Sequence, residues 1–174
     1  MDRIVAEVLV AMMEKNCGDQ KRIEHSLKVF SYAQALGRIE GIDAEKQHVL
    51  ELTALLHDIG IHVAEKKYQS SAAHYQELEG PAVAKEILQS MQIPQHIIDR
   101  VTFIIGHHHT FMAIDGIDFQ LLVESDFLVN AVEDMMTESQ IVSFAQNIFK
   151  SRCGKYFLKL LFPEYFKETI DSRE

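Results

Sequence analysis

Apolar residues return every three or four positions along most of this chain, and this helical period constrains the fold more than any other feature. In the first fifteen residues, the apolar side chains that follow this spacing are Ile4, Val5, Val8, Leu9, Met12 and Met13. Such a spacing is typical of an amphipathic α-helix. No segment combines the two-residue alternation of a half-buried strand with hairpin turn residues. We therefore predict an all-α fold, and 174 residues are most simply accommodated in one domain.

Aspartates and glycines predict where the long helices begin and end. Asp19 and Asp43 each precede an apolar periodic segment, where an aspartate can accept the first free N–H groups of a helix. Asp118 is expected to cap a later helix in the same way. Gly60 follows the helix that starts after Asp43, and glycine commonly supplies the left-handed turn that ends a helix.

The middle of the chain has a weaker period and contains two prolines. Residues 61–71 mix lysines, serines and isolated apolar residues, so we expect a loop with a short helical turn. Residues 71–77 then predict the beginning of a short helix. Because proline favours the first position of a helix, Pro81 predicts a helix over residues 81–90. Pro94 predicts another helix, which ends at Gly106.

Three short helices are expected near the C-terminus. They cover residues 141–149, 156–161 and 165–170, and Gly154 and Pro163 separate them. The sequence contains no repeat and no low-complexity segment. We therefore assign residues 1–174 to a single domain, in which the helices of residues 138–171 pack on the rest of the bundle.

The charge of the chain limits the classes of partner. The net charge is −9, which disfavours binding to a nucleic-acid backbone or to an anionic membrane. Five basic residues near the C-terminus are expected to solvate a helix face: Lys150, Arg152, Lys155, Lys159 and Lys167. A small phosphorylated substrate is compatible with an acidic chain, since a bound metal ion can reverse the local field. The sequence leaves the oligomeric state open, a homodimer included.

Cysteine usage and hydropathy predict a cytoplasmic protein. Cys17 and Cys153 lack metal-type spacing and are too few for a disulfide framework, which fits a reducing compartment. No apolar run approaches the roughly 18 residues of a membrane span. Residues 1–4 lack the charged and apolar regions of a signal peptide.

An apolar run over residues 49–56 leads directly into the pair His57-Asp58. Burying an imidazole and a carboxylate costs free energy unless partners satisfy them. Adjacent helical residues lie about 100° apart around the axis, so both side chains can flank a single ion at a helix end. The pair alone is equally compatible with a core histidine beside a salt-bridged aspartate. It needs partners elsewhere in the chain.

Further metal-capable residues lie on or beside apolar segments, and they are His25, His74, His107, His108, His109 and Asp126. Imidazole and carboxylate together suit a divalent transition metal such as iron, manganese, zinc, cobalt or nickel. The lack of suitably spaced cysteines disfavours a structural zinc site. A structural interpretation stays open for each single histidine, and we expect His48, His62 and His96 to be exposed and inert.

The order of these residues resembles the HD superfamily of metal-dependent phosphohydrolases. A helical His25 is followed by His57-Asp58 and then by a distant helical Asp126, and residues 55–60 and 123–128 are also similar to the family. The resemblance extends over about residues 22–130, which we expect to form the metal-binding core. It implies an HD-type helical bundle with one ion held by His25, His57, Asp58 and Asp126.

The resemblance also implies where a second ion would be bound. Members that hold two ions add histidines between the HD pair and the last aspartate. Here His74, His107 and His108 take comparable positions. With two ions Asp58 is the natural bridge, because a carboxylate has two ligand oxygens and an imidazole does not.

Two of these assignments have alternatives. Glu77 or Glu79 could replace His74, since each is a carboxylate close to it in sequence. The sequence does not decide which of the three consecutive histidines bind; His107 and His108 are favoured, and His109 is interpreted as a contact for the substrate.

The function implied by the resemblance is hydrolysis of a small phosphoester, with a nucleotide-like substrate favoured. His57 and Asp58 would be the catalytic residues, since they hold the ion that activates water. The sequence lacks two features of the signalling branch of the family, so it does not predict hydrolysis of cyclic dinucleotides. Two alternatives stay open: oxygenation at a di-iron site on the same scaffold, and non-catalytic sensing of a nucleotide or metal.

Overall fold

The computed structural model describes residues 2–166, and within that range the chain is folded into nine α-helices and two single-turn 3₁₀ helices. The α-helices are α1 (Arg3–Lys15), α2 (Gln20–Glu40), α3 (Ala44–Leu56), α4 (Ile61–Tyr68), α5 (Ala73–Ser90), α6 (Gln95–Ile105), α7 (Ile117–Glu133), α8 (Glu138–Asn147) and α9 (Arg152–Leu161). The 3₁₀ helices span Phe111–Ala113 and Pro163–Tyr165. The described residues contain no strand, so the predicted all-α fold is confirmed.

Helices α2, α3 and α7 form the centre of the bundle, where each packs against the other two. Helix α6 covers another side of α3 and packs against α5, while α9 packs on α2 and α7. All residues from 49 to 56 in α3 are buried, and so are residues 118–125 in α7. A helix that is buried all round must lie in the interior of a bundle. The His-Asp pair therefore directly follows the fully buried end of α3.

Two of the three predicted aspartate caps are confirmed. The Asp19 carboxylate accepts a hydrogen bond from the Arg22 backbone N–H, and Asp43 accepts one from the N–H of Lys46. The cap at Asp118 was wrong, because α7 begins at Ile117 and Asp118 lies inside its first turn. Its two oxygens instead accept hydrogen bonds from the Arg100 guanidinium at 2.7 and 2.8 Å, a paired geometry that guanidinium and carboxylate favour.

The predicted left-handed turn at Gly60 was also wrong. Gly60 has φ −80° and ψ −13°, which any residue can adopt. Gly60 packs directly against the backbone of α5. A Cβ atom on Gly60 would lie only 2.5 Å from the Gly80 nitrogen. A Cβ atom on Gly80 would in turn meet Ile105 at 2.7 Å. Both glycines are needed for close approach rather than for backbone conformation.

The segment between Gly60 and Ser90 is more helical than its sequence predicts. Residues 61–68 form α4, whose Ile61 and Ala64 share a buried face, instead of the expected loop. Helix α5 begins at Ala73 and continues through Pro81, so the prediction that a helix starts at that proline was wrong. Proline removes one helical hydrogen bond. Packing of α5 along α6 and α4 explains why the helix continues.

The C-terminal part contains α8 and α9, which confirms two of the three short helices predicted there. Gly154 lies inside α9 instead of separating helices, because its missing side chain makes room for the Glu124 carboxylate. The helix predicted over residues 165–170 lies mostly outside the described residues, and so does Lys167. Among the described helices none combines the length and the apolar character that crossing a membrane requires.

Candidate metal centre

Four side chains from three parts of the bundle meet at one point. Helix α2 contributes His25, the turn after α3 contributes His57 and Asp58, and α7 contributes Asp126. Both histidines are buried, and the two aspartate side chains keep 20% and 15% of their surface exposed. The packing of α2, α3 and α7 thus gathers residues that are a hundred positions apart in the chain.

The distances within this group match those around a single metal ion. The Nε2 atom of His25 lies 3.2 Å from His57 Nε2, 3.2 Å from Asp126 Oδ1 and 3.7 Å from Asp58 Oδ2. His57 Nε2 lies 3.6 Å from each of these carboxylate oxygens. Ligand atoms that surround an ion at roughly 2.0–2.2 Å are separated by about 3–3.5 Å. The structure therefore brings His25, His57, Asp58 and Asp126 close enough together that they could hold one ion.

Hydrogen bonds on the far side of each ring orient the histidines. His57 Nδ1–H donates to the Ala54 carbonyl at 2.9 Å, one of the carbonyls that a helix end leaves free. His25 Nδ1–H donates to Glu133 Oε2, also at 2.9 Å, and Lys28 donates to the second oxygen of Glu133. With Nδ1 as the donor, each ring turns its Nε2 atom towards the centre, as histidine ligands do in metal sites.

The ionisable groups of the centre hold one another charged. Burial by itself raises the pKa of Asp58, but the adjacent His57 and His108 outweigh it and keep that pKa well below its usual range. His25 and His57 do the same for the pKa of Asp126. Burial lowers the pKa of His57, yet Asp58 and Asp126 raise it to about 9. Without an ion, a proton on His57 thus offsets part of the negative charge of the two carboxylates.

A second group adjoins the first through Asp58. Ligand atoms of Asp58, His108 and His109 all lie within 4.8 Å of one another. The two oxygens of Asp58 face different neighbours, since Oδ2 is directed to His25 and His57 while Oδ1 lies 3.5 Å from His108 Nε2. His108 Nδ1–H donates to the Ile105 carbonyl at 2.7 Å, which leaves Nε2 as an acceptor. That Nε2 atom is buried and has no hydrogen-bond partner among the described residues.

The turn after α6 places His109 beside the same group. Its backbone N–H donates to Glu77 Oε1 at 3.0 Å, and its ring nitrogen Nε2 lies 3.3 Å from Gln76 Oε1. Burial and the neighbouring His108 lower the pKa of His109 to about 4. His109 is therefore neutral near pH 7, and neutral imidazole is the form that binds metal.

Two histidines predicted as ligands lie outside both groups. His74 is exposed, and its ring packs on Tyr75 with centroids 3.8 Å apart. His107 donates from Nδ1 to the Phe103 carbonyl at 2.7 Å, and its ring packs on Phe103. The turn at the end of α6 directs His108 inward and leaves His107 on the outer side. The structure therefore joins His109, and not His107 or His74, to Asp58 and His108.

Neither glutamate that was considered in place of His74 belongs to the two groups. Glu79 accepts hydrogen bonds from Lys67 Nζ at 2.6 Å and from the Tyr68 hydroxyl at 2.7 Å. Glu77 accepts from the backbone N–H of His109 and from the Thr110 hydroxyl, so it fixes the turn that carries the histidines. Its contribution is to position the turn.

Sequence reasoning missed two residues that support the ligands. Glu133 orients His25, and Asn130 Nδ2 donates to Asp126 Oδ1 at 2.9 Å. They follow Asp126 by four and seven residues, a spacing that places them on the same face of α7. This spacing from Asp126 was the sequence signal that could have identified both supporting residues. Glu124, also on α7, does not support the ligands; it accepts hydrogen bonds at the start of α9 from the backbone of Lys150 and Ser151.

The three histidines expected to be exposed and inert differ from one another. His96 is exposed, as predicted. His48 is only partly exposed, and its Nδ1 lies 3.5 Å from Asp2 Oδ2. His62 is also partly buried and lies 3.1 Å from Arg22 Nη1. None of the three belongs to the metal-ligand groups found in the described part of the chain.

Cavities formed by the described residues reach the centre. One, of about 460 Å³, is polar and is lined by His25 and Asp58, by the basic residues Lys21 and Arg22, and by the acidic residues Asp19, Glu133 and Asp134. Another, of about 640 Å³, reaches His109 and Asp126 from the side of α8. The ligand groups are thus accessible from outside, which a purely structural metal site does not need.

The fold and the site together define a helical bundle with a His/Asp centre able to hold divalent metal. A scan against protein-family models matches the HD domain over residues 22–148, most of the chain, and the chain belongs to this family. It is similar in structure to a crystal structure described as a predicted HD superfamily hydrolase from an uncultured Thermotogales bacterium. That match has a TM-score of 0.68 at 20% identity and covers 94% of this chain and 88% of the other. No curated protein matches the sequence significantly.

Proposed function

We propose that this protein is a metal-dependent phosphohydrolase that acts on a small phosphoester, with a nucleotide-like substrate favoured. The observation that carries the proposal is the convergence of His25, His57, Asp58 and Asp126, with Asp58 turning its second oxygen to His108. Membership of the HD-domain family supports it. The buried, unpartnered His108 Nε2 atom supports a second ion held by Asp58, His108 and His109.

The residues of the chain prepare the site before any substrate arrives. The Nδ1–H hydrogen bonds fix the ring directions, and Asn130 fixes Asp126. A bound divalent ion would activate water and stabilise charge on the phosphoryl oxygens. In the overall reaction water forms a bond to phosphorus, the ester P–O bond breaks, and the leaving oxygen departs with a proton. His57 and Asp58 are catalytic in this proposal because they would hold the ion that activates the water.

The polar cavity offers a phosphate two basic side chains, Lys21 and Arg22, in a lining that also contains acidic residues. Arg22 is held by hydrogen bonds to Asp19 Oδ2 at 2.7 Å and to Glu65 Oε1 at 2.6 Å, so its guanidinium has a defined position at the rim. Lys21 lies beside it. The net charge of the whole chain is −9, which disfavours the binding of long polyanions. We therefore propose a small phosphorylated partner and not a nucleic acid.

The test is metal analysis of protein purified without chelator, followed by a panel of phosphomonoesters and phosphodiesters. The proposal expects bound transition metal, and phosphate release that chelation abolishes and reloading restores. If no ester of the panel is hydrolysed by the metal-loaded protein, the proposal fails. Oxygen consumption by an iron-loaded sample in that case would support the di-iron oxygenase. Metal or nucleotide binding without turnover would support the sensing domain.

A further inference from the structure

The larger cavity at the metal centre, of about 640 Å³, has a composition that the proposed hydrolysis does not by itself explain. It lies between the 3₁₀ helix Phe111–Ala113, α7 and α8, and we call it the α8 cavity. Asp126 and His109 are among the residues that line it. A group bound in the α8 cavity would therefore lie directly beside the metal ligands. Its volume falls in the range of roughly 300–1,000 Å³ that is usual for small-molecule sites.

Aromatic and aliphatic side chains form the apolar part of the cavity. These are Phe111, Val123, Phe127, Met136, Phe144 and Ile148. The rings of Phe127 and Phe144 are stacked with centroids 3.8 Å apart and planes 9° apart, and Phe111 stands edge-on to Phe144 at 5.2 Å. Aromatic walls with fixed orientation favour flat ligands, which can stack on ring faces or meet ring edges.

The polar part of the cavity carries hydroxyl and amide groups. They belong to Asn130, Ser139, Gln140, Ser143 and Asn147. Among the described residues that line the cavity there is no lysine or arginine. Hydroxyls and amides can both donate and accept hydrogen bonds without charge. An anionic group would find donors here but no cation to compensate it, in contrast to the polar cavity beside Lys21 and Arg22.

Asn130 connects the two cavities, since it lines both of them and donates to Asp126 Oδ1 at 2.9 Å. The metal ligands thus lie between a polar cavity with charged residues of both signs and the α8 cavity, whose other lining residues are neutral polar, aromatic or aliphatic. A phosphate at the metal ligands would therefore have neutral organic surroundings on the side of the α8 cavity.

We propose that the α8 cavity binds the flat, uncharged, hydrogen-bonding organic group of the substrate, while the phosphate lies at the metal ligands. The assignment rests on the proposed function for the position of the phosphate. It adds that α8 determines which esters are accepted. Esters with a heteroaromatic group should therefore bind better than esters of small aliphatic alcohols.

The cavity can be tested separately from hydrolysis by measuring binding of neutral nucleosides to chelator-treated protein. Adenosine and uridine are the probes, and ribose and inorganic phosphate are the comparison compounds. Ser143→Trp and Ser139→Trp each place an indole at an exposed position that lines the cavity. Gln146→Trp is the matched control, because Gln146 is exposed on the same helix but does not line the cavity.

Titration monitored by NMR should show at least one nucleoside binding, with ribose and phosphate at least about tenfold weaker. Ser143→Trp or Ser139→Trp should weaken nucleoside binding about tenfold or more by filling the space, and Gln146→Trp should leave it within about twofold. Circular dichroism of each variant establishes that it is folded. Two results would overturn the inference: neither nucleoside binds, or both lining variants bind as tightly as the control.

A parallel assay separates this inference from the proposed function. Hydrolysis of p-nitrophenyl phosphate by the metal-loaded protein tests the metal centre, and nucleoside binding by the chelator-treated protein tests the cavity. Nucleoside binding without any phosphoester hydrolysis would support the cavity and contradict the hydrolase. Hydrolysis by the wild-type protein without any nucleoside binding would support the hydrolase and contradict the assignment of the cavity.

Discussion

The direction of the imidazole rings explains how individual residues prepare the centre. His25, His57 and His108 each donate Nδ1–H to a carboxylate or to a carbonyl at a helix end. Their Nε2 atoms consequently face Asp58 and Asp126 at 3.2–3.7 Å. The ring orientation does not depend on an ion, because its hydrogen bonds lie on the opposite side of each ring. An ion would meet a ligand set that is already arranged.

Removal of a ligand at the first group should eliminate both metal and activity. His57→Ala or Asp58→Ala should lower phosphoester hydrolysis by at least about a hundredfold, since the loss of even a supporting residue at a metal site commonly costs 10- to 100-fold. The helical content measured by circular dichroism should persist, because the apolar core surrounds α3 independently of the ion. His96→Ala, at an exposed histidine, is the control. Full activity with retained metal in either ligand variant would contradict the assignment.

The protonation of His57 makes a prediction for pH. In the ion-free protein the pKa of His57 is about 9, because Asp58 and Asp126 outweigh the opposing effect of burial. An ion must displace that proton, so the apparent affinity for Mn²⁺ should rise by up to about tenfold per pH unit below pH 9 and level off above it. Titration with Mn²⁺ at pH 6.5, 7.5 and 8.5, followed by electron paramagnetic resonance, measures the slope. An affinity independent of pH would show that His57 carries no proton in the ion-free state.

The second group makes a prediction that separates two neighbouring histidines. His108→Ala should lose about one equivalent of metal and keep the ion at His25, His57 and Asp126, because His108 Nε2 faces only the Asp58 side of the centre. His107→Ala should keep the wild-type stoichiometry, since the His107 ring packs on Phe103. Elemental analysis of both variants provides the measurement. Equal loss of metal in the two variants would contradict this distinction and indicate that His107 is also a ligand.

At the scale of helices, the centre depends on how the turn after α3 meets α5. Gly60 and Gly80 allow the two backbones to touch, and the same turn holds His57 and Asp58. Helix α5 also carries Glu77, which binds the turn of His108 and His109. The contact between the backbones of this turn and of α5 therefore helps to fix the position of one ligand group relative to the other.

A methyl group at that contact should disturb fold and metal centre together. Gly60→Ala places Cβ 2.5 Å from the Gly80 backbone nitrogen, and backbone cannot move aside as a flexible side chain can. We expect a loss of about 1–3 kcal/mol in the free energy of unfolding, as for other overpacked contacts, together with weaker metal binding. Urea denaturation measures the change in the free energy of unfolding. Ala82→Ser, at an exposed position of α5, should change the stability by less than about 0.5 kcal/mol. Equal stability of Gly60→Ala and wild type would contradict the close approach.

The helical period predicted which segments are helical better than it predicted their limits. Asp19 and Asp43 act locally, through side chain to backbone hydrogen bonds, and such caps can be recognised in sequence. Helix α5 passes through Pro81 because packing against α4 and α6 outweighs a lost hydrogen bond, and that packing is a tertiary effect. Asp118 resembles a cap until Arg100, eighteen residues earlier, is brought beside it. Non-local contacts explain each of these differences.

At the scale of the whole molecule, the resemblance to the HD superfamily implied that His25, His57, Asp58 and Asp126 would meet, and the structure brings them together. The sequence by itself showed only that these residues lie on or beside apolar helical segments. The second group depends on the turn after α6, where a rotation of one residue exchanges inward and outward side chains. The sequence therefore could not decide between His107 and His109, and it gave no sign of the two cavities.

The two cavities on either side of the metal ligands differ in the chemistry of their lining residues. Lys21 and Arg22 lie at one side together with acidic residues, while the aromatic and amide groups of the α8 cavity lie at the other. The remaining surface belongs to a chain with a net charge of −9. A small substrate with one charged and one neutral end would be oriented by this arrangement.

The most direct test of the central claim is a crystal structure of Mn²⁺-loaded protein with anomalous scattering data collected at the manganese edge. The account predicts a peak about 2.0–2.3 Å from His25 Nε2, His57 Nε2, Asp58 Oδ2 and Asp126 Oδ1. It predicts a second peak on the side of Asp58 that faces His108 and His109. Fully loaded crystals without a peak among the first four atoms would contradict the account.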